Sequence, residues 1–144
     1  MNIQKKALAV HDISCIGRCS LTVALPVMSA AGIETSVLPT AMLSTHTGGF
    51  EGYTFTDLTD ELDPIANHWK TLGRKFDCIY SGYLGSERQI SIVENLFENF
   101  SGDNCIKLVD PVMADNGKYY SIFNDEFAER MAKLCSKADI IIPN

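Results

Sequence analysis

Short apolar runs recur along this chain, and each gives way to a polar or glycine-rich segment. Ala9-Val10 runs into His11-Asp12-Ile13-Ser14, and Val37 to Ser44 into Thr45-His46-Thr47-Gly48-Gly49-Phe50. Later come Ser81-Gly82-Tyr83-Leu84-Gly85-Ser86 and Asp110-Pro111-Val112-Met113. Between these units lie stretches with helical spacing. Strand and helix therefore alternate, which calls for a mostly parallel sheet with helices on both faces. In such sheets ligands bind outside the carboxyl ends of the strands, where these polar segments fall.

The spacing places strands at Ala7 to His11, Glu34 to Leu38, Ala41 to Ser44, Asp77 to Ser81, Cys105 to Val109 and Asp139 to Ile142. Pro39 is expected to break the second from the third. Ile140-Ile141-Ile142 suits a strand buried on both sides. Helices are expected over Ser20 to Ala31, with Val23, Ala24, Val27, Met28 and Ala31 on one face, and around Leu58, Leu62, Ile65, Trp69 and Leu72. Pro26 predicts a kink or late start in the first, and Pro64 a division of the second. Ser86 caps a helix through Phe100 with Ile90, Val93, Phe97 and Phe100 inward; Asn124 caps one carrying Phe127, Met131, Leu134 and Cys135.

A chain of 144 residues has room for a single domain with a real core. Its formal charge of −6, with no basic run, argues against nucleic acid as a partner. No apolar stretch approaches a membrane span, and the first residues lack the apolar region of a signal peptide. The five cysteines form no CxxC pair. Free thiols in a reducing cytoplasm are the simplest account, with Cys78 and Cys105 as small hydrophobes. Cys15 and Cys19 have no second ligand pair to make a metal site.

Several residues carry both a functional and a structural reading. The Thr45 to Gly52 loop, with hydroxyls, an imidazole and three glycines, is either a binding loop or a flexible turn. It lacks the Gly-Lys-Ser/Thr ending of a Walker A loop. Asp12 either accepts hydrogen bonds from a polar ligand or caps a turn. His46 either orients a ligand or lies on the surface, and Tyr83 is either an aromatic wall or a packed loop residue. Asp110 either serves a hydrated Mg²⁺ and phosphates or ends a turn. Asp115-Asn116-Gly117 is first a turn signal. Neither a calcium loop nor a GxSxG elbow is present.

Taken in order, Ala9-Val10-His11-Asp12, Arg18-Cys19-Ser20, Leu43-Ser44-Thr45-His46-Thr47, Ser81 to Ser86, Asp110 to Met113 and Asp139 to Asn144 resemble the amino-terminal half of the pyridoxal/pyridoxamine (vitamin B6) kinases of the ribokinase-like superfamily. The resemblance spans nearly the whole chain. It implies ATP-dependent phosphorylation of the 5′-hydroxymethyl group of a B6 vitamer, with ATP and Mg²⁺ as cofactors and room for a monovalent cation. By it, Asp12, His46, Thr47 and Tyr83 are expected to line the vitamer pocket, and Asp110 and Tyr119 to belong to the ATP and metal region. Where Asp12 stands, the family often carries serine. The Gly-rich anion hole and catalytic Asp of the family lie in its carboxyl-terminal half. Residues 1–144 are therefore expected to be the substrate-side part of one kinase domain, inactive alone, from a protein that is dimeric at full length. Alternatives are a hydroxymethylpyrimidine kinase of the same superfamily and a non-catalytic binding module.

Overall fold

The computed structural model of this protein describes residues 4–143. Met1, Asn2, Ile3 and Asn144, the last residue of the Asp139 to Asn144 motif, lie outside the described residues. In chain order the elements are β1 (Lys6–Ser14), α1 (Leu21–Ala30), β2 (Glu34–Leu43), β3 (Phe55–Asp57), α2 (Thr59–Thr71), β4 (Phe76–Ser81), α3 (Glu87–Phe100), β5 (Ser101–Val109), β6 (Ala114–Asp115), β7 (Lys118–Tyr119), α4 (Asp125–Cys135) and β8 (Ile140–Ile141). Six strands form one sheet in the order β3-β2-β1-β4-β5-β8. All neighbours are parallel except β3, which turns back antiparallel on β2.

Alternation along β1 divides the two faces. Leu8 and Val10 are fully buried and join Leu38, Ile79 and Val109 in a hydrophobic cluster. Leu62 and Ala66 of α2, Ile90, Val93 and Phe97 of α3, and Phe127, Met131 and Leu134 of α4 complete it. Each large side chain buried there contributes about 1.5–3 kcal/mol. The expected caps are present: Ser86 accepts from the Gln89 N–H and Asn124 from that of Phe127. Glu94 of α3 receives Arg130 and Lys137, binding α3 to α4 and the turn after it.

Ala7, Ala9 and His11 point to the other face. There α1 packs on β1 and β2. Cys78, Tyr80 and Leu108 of β4 and β5 are only partly covered.

Some expectations are corrected. β2 runs unbroken through Pro39, which pairs with His11 in the ladder. β3 reaches only Ala41 to Leu43, so no further strand lies beyond Pro39 to need its N–H. Helices α1 and α2 likewise continue through Pro26 and Pro64. Each proline forfeits one backbone bond, and packing outweighs the loss. The apolar face of α1 is not core: Leu21 is its buried residue, whereas Val23 and Val27 are exposed. Ile140, Ile141 and Ile142 are not buried on both sides but 44–50% exposed, since among the described residues β8 is an edge strand beside β5. Leu72 is also exposed. The Asp115-Asn116-Gly117 signal makes the tight β6–β7 turn, with positive φ at both Asn116 and Gly117 as such a hairpin needs.

Candidate functional site

The strand order reverses at β1. The chain leaves β1 through α1 to reach β2 on one side, and returns through α2 to β4 on the other. Connections diverge there, and a crevice opens beyond the carboxyl ends of β1 and β4, the switch point where open α/β sheets bind ligands. A cavity of about 990 Å³ occupies this place and continues along the half-covered α1 face.

A register shift between His11 and Ile13 sets Asp12 apart from the β1–β2 ladder. Such bulges re-aim a side chain. The Asp12 carboxylate accepts from Ser20 Oγ at 2.6 Å and from Ser14 Oγ at 3.2 Å. Ser20 spends its hydroxyl on Asp12 and makes no side-chain cap on α1. Its φ of 50° and ψ of −132° are strained for a residue with a Cβ. Beside Asp12, His11 is buried and meets Tyr80 edge-on, with ring centroids 4.2 Å apart. Burial lowers its pKa to about 4, so the imidazole is neutral. His11 Nε2, Thr45 Oγ1 and Ser81 Oγ are buried without a partner among the described residues.

His46 is set by the loop before α1: its N–H donates to the Ile16 carbonyl at 2.7 Å. A Cβ on Gly17 would stand 2.9 Å from His46 Cβ, and Gly17 has φ +133°, so that close approach requires glycine. His46 Nδ1 accepts from Gly48 N–H at 3.1 Å. Thr47 follows on the cavity wall. The Tyr83 carbonyl accepts from Thr40 Oγ1 at 3.0 Å. Its phenol is pushed up to about 12 by burial, then by the charges of Asp12 and Asp57 and by Tyr53. Asp110 donates its N–H to the Ser81 carbonyl, and burial raises its carboxyl pKa.

Asp12, His46, Thr47, Tyr83 and Asp110 thus converge on one cavity. Tyr119 does not. It sits on β7, 44% exposed, with Asp125 accepting from its hydroxyl and so raising its pKa; Tyr120 lines the cavity instead. Ser14, Ser20, Tyr53, Phe55 and Asp57, none of them a site residue expected from the sequence, also line it. An Asx-turn signal, Asp57-Leu58-Thr59, could have found the last: Asp57 accepts from the Thr59 N–H and hydroxyl. Among the described residues no group of three or more His, Cys, Asp or Glu could hold a metal ion, and no helix is long and apolar enough to cross a membrane.

No family model matches the chain. A curated pyridoxal kinase from Actinobacillus pleuropneumoniae is 32% identical over 126 residues, covering 81% of this chain and 42% of its own. A crystal structure from Bacteroides thetaiotaomicron, described as a phosphomethylpyrimidine kinase, superposes with a TM-score of 0.95 at 48% identity, covering 99% of this chain and 49% of its own. A second crystal form of it, with pyridoxal, gives 0.91 at 47% identity over 96% of this chain and 48% of its own. The pyridoxal kinase of Lactobacillus plantarum gives 0.91 at 34% identity over 97% of this chain and 50% of its own. The chain spans about half the length of these relatives. Across that half, in sequence and in fold, the chain is similar to pyridoxal kinases.

Proposed function

We propose that residues 1–144 form the substrate-side part of a ribokinase-like kinase domain, and that the whole protein transfers the γ-phosphoryl group of ATP to the 5′-hydroxymethyl group of a B6 vitamer. One observation carries the reading. Asp12, His46, Thr47, Tyr83 and Asp110, from four separate strand ends, meet in one cavity at the switch point of the sheet. The relative crystallised with pyridoxal, 47% identical, supports the choice of ligand.

In this reading Tyr83 and Phe55 flank the vitamer ring, while Asp12, His46 and Thr47 bond its polar edge. The 5′-oxygen forms a bond to the γ-phosphorus as the bond to the β,γ-bridging oxygen breaks; ADP leaves, and the hydroxyl proton passes to a base. No base is assigned among the described residues. Mg²⁺ would neutralise charge on the phosphates. It commonly keeps several waters and takes one or two carboxylates, so Asp110, partly buried with a raised pKa, fits as a single such ligand. Homodimerisation and a cytoplasmic location belong to the same proposal.

The name of the 48%-identical relative keeps a pyrimidine substrate as the second reading. The test supplies ATP and Mg²⁺ with pyridoxal, pyridoxamine, pyridoxine or hydroxymethylpyrimidine and measures ADP and phosphorylated product. Product from a B6 vitamer supports the first reading; product from the pyrimidine alone replaces it with the second. Calorimetric binding of a vitamer without turnover by the whole protein would leave a binding module.

A further inference from the structure

We infer that Asp12 is a specificity-determining residue that selects the amine-bearing vitamer, pyridoxamine, by receiving its ammonium group. The inference rests on the B6 reading of the site. The carboxylate is buried, at 6% exposure, yet lines the cavity. Among the described residues its protein partners are two hydroxyls, Ser20 on Oδ1 and Ser14 on Oδ2, and no cation pairs with it. Two hydroxyl donors leave lone pairs on both oxygens. A buried carboxylate in this condition gains most from a charge-assisted donor.

The surroundings favour the same ligand charge. Asp57 and Asp110 line the cavity with Asp12, whereas no lining side chain among the described residues is Lys or Arg. The field of Asp12 and Asp57 reaches Tyr83, whose phenol it helps to keep protonated. His11, adjacent in sequence and lining the same cavity, holds Nε2 without a protein partner. The natural vitamers differ only at the 4′ group. An aldehyde offers a lone pair to a carboxylate and no proton, a hydroxymethyl offers one neutral donor, and an aminomethyl group offers a cation with three donors. Only the last matches an uncompensated buried anion.

Calorimetric titration of the purified protein with pyridoxamine, pyridoxine and pyridoxal tests this without any variant. Pyridoxamine is expected to bind about tenfold or more tighter than the other two, the scale of one charged hydrogen bond. Asp12→Asn, which keeps the size and an acceptor but not the charge, is expected to erase the difference by lowering pyridoxamine affinity about tenfold or more. Equal wild-type affinities, or a preference that survives in Asp12→Asn, would overturn the selection and leave the B6 reading intact. Failure of all three to bind would overturn the B6 reading together with it.

Discussion

The His11 imidazole fills the space that a side chain at Gly82 would need. A Cβ on Gly82 would overlap Nδ1 and Cε1 of that ring, and the Gly82 N–H donates to the Val10 carbonyl at 2.9 Å. The ends of β1 and β4 are drawn together at the floor of the cavity because residue 82 has no side chain. Gly82→Ala should therefore destabilise the fold by about 1–3 kcal/mol through overpacking. His11→Ser should recover part of that loss in the double variant, a coupling that urea denaturation of the four proteins would measure. Additive losses would show that ring and glycine do not compete for space.

The same burial sets a pH dependence. The folded pKa of His11, about 4, lies below the ordinary imidazole value of 6.5. Between these values the unfolded chain binds more protons, so stability rises with pH across the window. The contribution is complete above about pH 6.5 and is lost as pH falls towards 4, by a total on the order of 3 kcal/mol. His11→Gln removes this titration. Its melting temperature relative to wild type should rise as pH is lowered from 7 to 4.5. A constant difference between the two proteins would mean that His11 is not held neutral.

Ser20 joins a favourable contact to an unfavourable backbone. Its hydroxyl holds Asp12 at 2.6 Å, while its φ of 50° suits glycine. Ser20→Ala loses the bond and keeps the strain; Ser20→Gly loses the bond and relieves it. The glycine variant should be about 1 kcal/mol the more stable of the two in thermal melts. The reverse order would place the strain elsewhere.

The sequence made the frame legible where one period dominates. Ile90, Val93, Phe97 and Phe100, like Phe127, Met131 and Leu134, fall on single helical faces behind good caps, and both helices pack as their spacing predicts. Proline misled at Pro39 and Pro64: beyond Pro39 no strand needs the missing N–H, and at Pro64 the penalty is a single lost bond that the core outweighs. At the site, strand-end residues could be read because topology sends every such end to one edge. Ser14 and Ser20 could not, and Asp57 only through its Asx-turn. Their places depend on a register shift after His11 and on β3 folding back over β2, neither of which has a periodic signature. Tyr119 and Tyr120 differ by one position, and only the hairpin geometry decides which of them meets the cavity.

Gln89 ties together three segments that position Tyr83. It is almost wholly buried in the first turn of α3. Its Nε2 donates to the Thr40 carbonyl at 3.1 Å and to Thr59 Oγ1 at 2.7 Å, and its Oε1 accepts from the Gly85 N–H at 2.7 Å. Thr40 in turn donates to the Tyr83 carbonyl. One amide thus joins the end of β2, the start of α2 and the loop that carries Tyr83. Gln89→Leu keeps the bulk but strands the Gly85 N–H, at about 1–3 kcal/mol, while the Thr40 carbonyl keeps the Leu58 N–H at 3.1 Å. Gln89→Glu keeps the acceptor for Gly85 and loses the two donated bonds, setting a carboxylate against the Thr40 carbonyl. If Gln89 positions Tyr83, vitamer affinity should fall in both variants at temperatures where each remains folded, and fall less in Gln89→Glu, which retains the bond nearest Tyr83. Equal affinity in both variants and wild type, alongside lowered melting temperatures, would confine Gln89 to stability and leave the Tyr83 loop positioned by Thr40 and by the Gly82 bond to Val10.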